Sequence, residues 1–350
     1  SYLDGRFPFL PFEFTSDVCL VIASFVSGLL AVFAGHSFPK RIIAFVADSD
    51  RNVHNIYLMD TERRLTSKIS DHPPVACCLA WSPDGLWVAF TSAESQQIYA
   101  INVDSREPRQ LTDNRAYNFD PVWSPNGREI AFTSAIPGET HSGIYVINML
   151  DNQIKRMTDD SIYPHRPIWS PDGQQIIFAY GSSAKPDIYA VGKSSGLITQ
   201  LTDNYDDEKD QLTFSPDGRY LAFAETWDRS DDIYVINVDG SNPQRLTAPG
   251  TANYFPVWSP NGKQIAFVSY RDSDGDIFVI DADGSNEHQL TFNNRIDESP
   301  MWSPDGQQIL FWSQPENEKR FALYVMDADG SNSRRLTEYT ALSLYAAWQP

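Results

Sequence analysis

The chain has 350 residues, 41 % hydrophobic and 13 % aromatic, enough to build a sizeable packed core. Its formal charge is −19, and residues 1–41 contribute nothing to it (Asp4, Glu13 and Asp17 against Arg6, Lys40 and Arg41), so the remainder is strongly acidic. A body of that sign repels phosphate backbones, which argues against nucleic acid as a partner; its plainest role is solubility. Cys19 lies in an apolar run and Cys77 adjoins Cys78, giving neither an even disulfide framework nor a CxxC metal pair. In a regular strand the side chains of Cys77 and Cys78 would point to opposite faces.

In chain order, residues 1–17 form a tail whose Phe7–Phe14 stretch, FPFLPFEF, suits a membrane interface better than a helix. Val18 to Gly35 then runs eighteen residues without a charge, long enough to span a bilayer with help from its flanks. Val32-Phe33-Ala34 would also pass as the cleavage site of a signal peptide. The expectation taken is an uncleaved single-pass anchor over 18–35. Lys40 and Arg41 mildly favour a cytoplasmic body, but both sit where the next domain begins. A serine start, as left by removal of an initiator Met, favours a cytosolic N-terminus and an extracytoplasmic body. Ala23, Ser27, Ala31 and Gly35 recur every four residues along one helix face, where small side chains let a partner helix approach closely.

From residue 36 onward the chain repeats itself. The aromatic anchors Trp81, Trp123, Trp169, Phe214, Trp258, Trp302 and Trp348 recur every 42 to 46 residues, six of them leading into Ser-Pro-Asp/Asn-Gly. Between successive anchors run an "AF"-type strand, an "IYV"-type strand and an "LT" segment. In Pro256–Thr291 the spacing predicts strands over Pro256–Trp258, Gln264–Ser269, Asp276–Asp281 and His288–Thr291, counted A to D. Pro and Gly in Ser259-Pro260-Asn261-Gly262 mark a tight turn, and Asp283-Gly284 a hairpin. Four short strands per unit at this period predict an all-β propeller over 36–350. Seven "AF" strands are present, from Ala44-Phe45 to Leu310-Phe311. The first lacks a complete strand A and the last strand A, Tyr345–Trp348, lacks a blade, so the C-terminal strand is expected to complete the first blade and close a seven-bladed ring.

WSPDG, IAFxS, IYVxNxDGS and RLT together resemble the WD40-like PD40 repeats of the TolB family of bacterial envelope propellers, over about residues 41–350. The resemblance implies a propeller working by protein contact in the cell envelope. TolB itself has six blades after an α/β domain; this sequence has seven after an apolar segment.

Uniform turns (SPDG, SPNG, DADGSN) fall on one propeller face. Variable loops (SDRNVHN, IPGETHSG, GSSAKPD, ETWDRSDD, YRDSDGD, QPENEKR) fall on the other, where a private function would be built. Tyr163-Pro164-His165-Arg166 lies there, and Asp120, His165 and Asp210 are candidate ligand residues at the channel mouth. Gly192-Lys193-Ser194-Ser195-Gly196 matches GxSxG but occupies a hairpin, whereas a nucleophile elbow needs a strand running into a helix. Asp272, Asp274 and Asp276 resemble a calcium loop but lack the Gly and Glu an EF-hand requires. The six histidines are dispersed, with no HxH or HExxH.

The sequence therefore predicts a membrane-anchored, non-catalytic interaction module without cofactor or metal. It would be an accessory subunit of a membrane protein complex, held by the helix and the variable face. The competing reading is a small-ligand sensor or hydrolase-type enzyme at the channel mouth. Enlarging the small-residue stripe with Ser27→Leu and Ala31→Leu together should detach the protein from its complex, while Val26→Leu on the opposite face should not. Stoichiometric co-purification of the double variant would reduce the helix to a tether.

Overall fold

Seven copies of one four-stranded antiparallel meander build the structure, a computed structural model. It describes residues 41–350 except 49–53, 71–73, 138–141, 160–163, 181–186, 203–208, 228–229, 272–273, 316–319 and 339–344. The expectations for the 1–17 tail, the 18–35 helix and its Ala23, Ser27, Ala31 and Gly35 face lie outside the described residues. Among the described residues, no helix is long and apolar enough to cross a membrane.

Each repeated motif has a local job. In blade 6 the Ser259 Oγ accepts the Gln264 amide at 2.9 Å and donates to Asn261 Oδ1 at 2.9 Å, which accepts the Lys263 amide at 2.9 Å. Gly262 closes the turn at φ +68°, a conformation that costs other L-residues. The "AF" and "IYV" motifs supply an aromatic pair directly opposed across strands B and C. Phe267 faces Phe278 at 5.8 Å between centroids, and the equivalent pairs from Phe45–Tyr57 to Phe311–Tyr324 lie at 5.7 to 6.1 Å. Such pairs contribute about 0.5–1.5 kcal/mol beyond the area they bury. The Thr of "LT" accepts an amide at the start of strand C, as Thr291 Oγ1 does from Ile277, the strand's second residue, at 3.0 Å.

Strand A lies innermost and runs further upstream than its apolar core suggested: in blade 6 it is Asn253–Trp258, followed outward by Gln264–Ser269, Asp276–Asp281 and His288–Gln289. Strand B is buried almost throughout because neighbouring blades cover both faces of each sheet. Hydrophobic clusters accordingly span adjacent blades, one of them joining Trp258 to Ala222 and Ile233.

Closure occurs where the repeat count demanded it. Blade 1 is ordered Ala346–Trp348, Ile42–Asp48, His54–Asp60, Leu65–Lys68. Ile43 faces Trp348, Ala44 faces Ala347 and Phe45 faces Ala346, with flanking bonds from the Val46 amide to Tyr345 O (2.9 Å) and the Gln349 amide to Ile42 O (2.8 Å). The Trp348 indole donates to Met301 O of blade 7, and Trp81 of blade 2 donates to Ala347 O, both at 3.1 Å. Gln349 stands where other blades carry the turn Ser, and its side-chain amide donates to Gly85 O at 2.8 Å.

Deleting residues 345–350 should therefore open the ring. Losing buried Trp348 alone is worth about 3–5 kcal/mol, so the truncated chain should melt roughly 10 °C lower or aggregate through its freed edge. An unchanged melting temperature in scanning calorimetry would refute this closure.

Candidate functional site

The inner strands do not pair regularly with strand B. In blades 2 to 7 the register shifts just before the anchor aromatic, between Cys77 and Ala80, Phe119 and Val122, His165 and Ile168, Asp210 and Thr213, Tyr254 and Val257, and Glu298 and Met301. At each bulge the residue three before the anchor has positive φ: Cys78, Asp120, Arg166, Gln211, Phe255 and Ser299, at +53° to +68°. None is glycine, so six blades hold a sterically disfavoured backbone at one equivalent position. Conformations of this kind persist where the surroundings over-determine them, often at functional sites.

Three neighbouring pairs of these residues are in contact. The Cys78 sulfur lies 3.2 Å from Asp120 Oδ1. Asp120 accepts the Arg166 amide, and Gln211 Oε1 accepts the Phe255 amide. Burial raises the Asp120 carboxyl above the ordinary range, opposed by the Arg166 guanidinium and amide. Of the three residues expected at the channel mouth, Asp120 holds a ring position. His165 and Asp210 each precede theirs by one residue; they pair with Ala179 and Ala224 beside Arg166 and Gln211. Sequence reading named Arg166 only within the Tyr163–Arg166 stretch and Cys78 only beside Cys77, and passed over Gln211, Phe255 and Ser299. Their constant offset of three from the anchor is the signal that finds them.

A second cluster spans blades 5 to 7. The Tyr254 hydroxyl donates to Asp231 and the Tyr270 hydroxyl to Glu298, and the two rings meet edge-on at 5.8 Å. Burial, then the neighbouring carboxylates, push both phenols well above their usual range, so they remain protonated donors. Burial also raises Glu298, with the Tyr270 hydroxyl pulling back.

Beneath this layer, buried polar links tie blades together. Asn118 Nδ2 donates to Gln97 Oε1 at 2.9 Å and reaches Thr112 Oγ1 at 3.3 Å. Asp232, Thr247 and Asn253 repeat the arrangement, as do Asp276, Thr291 and Asp297. Asp276 belongs to this framework: it accepts Thr291 Oγ1 at 2.9 Å and Gln289 Nε2 at 3.0 Å. Asp272 lies outside the described residues, and no group of three metal-binding side chains gathers among the described ones. Burial raises Asp297 above the ordinary carboxylate range despite bonds from Ser313, Asn293 and Thr291.

Gly192–Gly196 is a turn between Asp187–Gly192 and Ile198–Gln200. The Gly196 amide bonds Gly192 O at 2.8 Å, Ser195 Oγ accepts the Leu197 amide at 3.1 Å, and Ser194 is exposed. No helix follows, so the geometry of a nucleophile elbow is missing there.

Seven closed blades around a bulged inner ring define an all-β propeller of the repeat class. The chain belongs to the PD40 family, the TolB beta propeller domain, which matches residues 36–212 and 210–340. The uncharacterized protein Atu1656 of Agrobacterium fabrum is 34 % identical over 70 residues, 20 % of this chain and 24 % of that protein, so the match spans about a quarter of that relative. TolB from Acinetobacter baumannii superimposes with a TM-score of 0.57 at 19 % identity, over 88 % of this chain and 82 % of that one. A puromycin-hydrolyzing peptidase from Mycobacterium tuberculosis superimposes at 0.69 and 13 % identity, over 87 % of this chain and 55 % of that one. At these identities the structural likenesses show the fold alone.

Asp297 occupies the place that Asn118 and Asn253 hold at other seams. Its folded pKa lies above the unfolded value, so stability is lost as pH rises from the unfolded pKa toward the folded one. Asp297→Asn should therefore raise the melting temperature at neutral pH by about 1–3 °C. The gain should vanish below the ordinary carboxylate range, where both states of the wild type are protonated. Equal destabilisation at every pH would show that the seam needs the carboxylate.

Proposed function

We propose that this protein is a non-catalytic interaction module whose partner docks on the variable face and the inner ring. The observation that carries this reading is the contrast between the two propeller faces. One repeats the same Ser-Pro-Asx-Gly bonding in every complete blade. At the inner ring, six equivalent strained positions carry a sulfur, a carboxylate, a guanidinium, an amide, a phenyl ring and a hydroxyl; Cys78, Asp120, Arg166 and Phe255 are partly exposed, and Gln211 and Ser299 are buried. Identical positions serve the fold, whereas six different side chains on one backbone geometry suit recognition of an irregular surface. Membership of the TolB propeller family supports a protein-contact role, and the GxSxG turn lacks the geometry for acyl transfer.

In the fuller reading, residues 18–35 hold the propeller at a membrane as an accessory subunit of a membrane protein complex, with the propeller extracytoplasmic. The Cys77–Cys78 disulfide suits an oxidising compartment. The fold is also used by peptidases, and catalysis here would call for a nucleophile with a hydrogen-bonded base.

The test is a double variant on the ring, Arg166→Glu with Phe255→Ala, purified in mild detergent beside Asn126→Ala on the uniform face. The ring variant should lose its co-purifying subunits about tenfold, equivalent to 1.4 kcal/mol, while the control keeps them and both remain folded. Full retention of partners by the ring variant, or specific fluorophosphonate labelling of Ser194, would overturn the proposal.

A further inference from the structure

Blade 2 sets two reactive side chains at the ring. In its inner strand, Val75–Trp81, register shifts fall between Val75 and Cys77 and between Cys77 and Ala80, and Cys78 has φ +68°. The regular alternation that would separate adjacent side chains is broken there, and Cys77 and Cys78 are joined as a disulfide. The equivalent bulge in blade 6 brings the adjacent rings of Tyr254 and Phe255 to 6.4 Å. This backbone shape is therefore a property of the blades and does not depend on the sulfur bond.

The Cys78 sulfur also has a neighbour in the next blade, Asp120 Oδ1 at 3.2 Å. A thiol can donate its hydrogen to that oxygen, and a disulfide sulfur has none to give. The two partners of Cys78 exclude one another. We propose that Cys77 and Cys78 form a reversible two-electron redox site whose state sets whether Asp120 receives a hydrogen bond from Cys78. Asp120 is otherwise faced by Arg166 from blade 4, so the site acts on the most strongly charged part of the ring. This rests on the ring as the recognition surface only for its consequence; the chemistry stands without it.

Cys77 is buried and Cys78 only partly so, which makes Cys78 the sulfur that meets an outside reagent. The co-reactant is a disulfide, either a small molecule or an exchange protein. The Cys78 thiolate attacks one of its sulfurs, forming a mixed disulfide and releasing one thiolate. The Cys77 thiolate then attacks Cys78, forming the Cys77–Cys78 bond and expelling the second. The pair loses two electrons, the co-reactant gains them, and the protons of the two cysteines pass to the released thiols. Excess dithiol runs the sequence backward.

The unaltered full chain, equilibrated in glutathione buffers and then treated with iodoacetamide, tests the first half, with peptide mapping to separate Cys19. The oxidised form should be about 2 Da lighter and unlabelled at Cys77 and Cys78, and the reduced form should take label first at Cys78. Carbon-13 NMR of the Asp120 carboxyl, assigned with Asp120→Asn, tests the second half. Its titration midpoint should fall by about one pH unit on reduction, because a donor to the carboxylate favours the charged form. Cys78→Ser, which carries a permanent donor, should titrate like the reduced form in every buffer. Labelling of both cysteines after equilibration with oxidised glutathione would overturn the redox site. An Asp120 midpoint unmoved by reduction would overturn the coupling. Ring variants that keep their partners while both signals hold would count against the recognition surface alone.

Discussion

An indole N–H reaching back to the backbone of the previous blade is the contact on which the ring depends. Trp123 donates to Ala80 O at 3.1 Å, Trp169 to Val122 O at 3.2 Å and Trp302 to Val257 O at 3.3 Å, and Trp81 and Trp348 carry the same link through the closing strand. Each link is worth on the order of 1 kcal/mol. Its larger effect is geometric: it fixes one inner strand against the next, so the spacing of blades is set by a bond as well as by apolar contact. Because neighbouring blades cover both faces of every sheet, no blade has a complete core without the others.

The series lapses at blades 5 and 6. Phe214 has no N–H to give, and the Trp258 indole nitrogen is buried without a hydrogen-bond partner, its ring stacked on Tyr220 at 6.4 Å. There the Tyr254 hydroxyl bridges from blade 6 to Asp231 of blade 5 and Tyr270 bridges onward to Glu298 of blade 7. The first of these bonds spans the seam between blades 5 and 6, where an indole link is missing, and the second adds to the Trp302 link between blades 6 and 7. A buried carboxylate is costly unless it is bonded, and the Tyr270 hydroxyl meets that need for Glu298.

The polar seams at Asn118, Asn253 and Asp297 and the bulged ring lie close together but answer different demands. The seams are bonded mainly within themselves, though Asn118 Oδ1, Asn253 Oδ1 and Asp297 Oδ1 are buried without a partner among the described residues, and their residues vary only between an amide and an acid. The ring keeps one backbone geometry and changes side chain at every blade. That difference suits the seams to framework and, under the function proposed above, the ring to recognition.

Much of this was legible in the amino-acid order alone. The anchor period, the turn signature, the "AF" and "IYV" strands and the orphan Tyr345–Trp348 strand specified seven blades and their closure, because strand period and turn chemistry are local and repeat without reference to the rest of the chain. The ring was not legible in the same way. A bulge shifts the pairing by one residue, which sets Arg166 and Gln211 at the equivalent strained positions just after His165 and Asp210, and which joins Cys77 to Cys78 where regular alternation would have sent them to opposite faces. Nor could the acidity of Asp276 and Asp297 reveal that both lie in a seam beside Thr291, since that depends on how adjacent blades meet. Local order decided the blades; only the packing of one blade on the next decided which side chains face each other, because those contacts join residues of different repeats, 21 positions apart at Asn118–Gln97 and 44 at Gln211–Phe255.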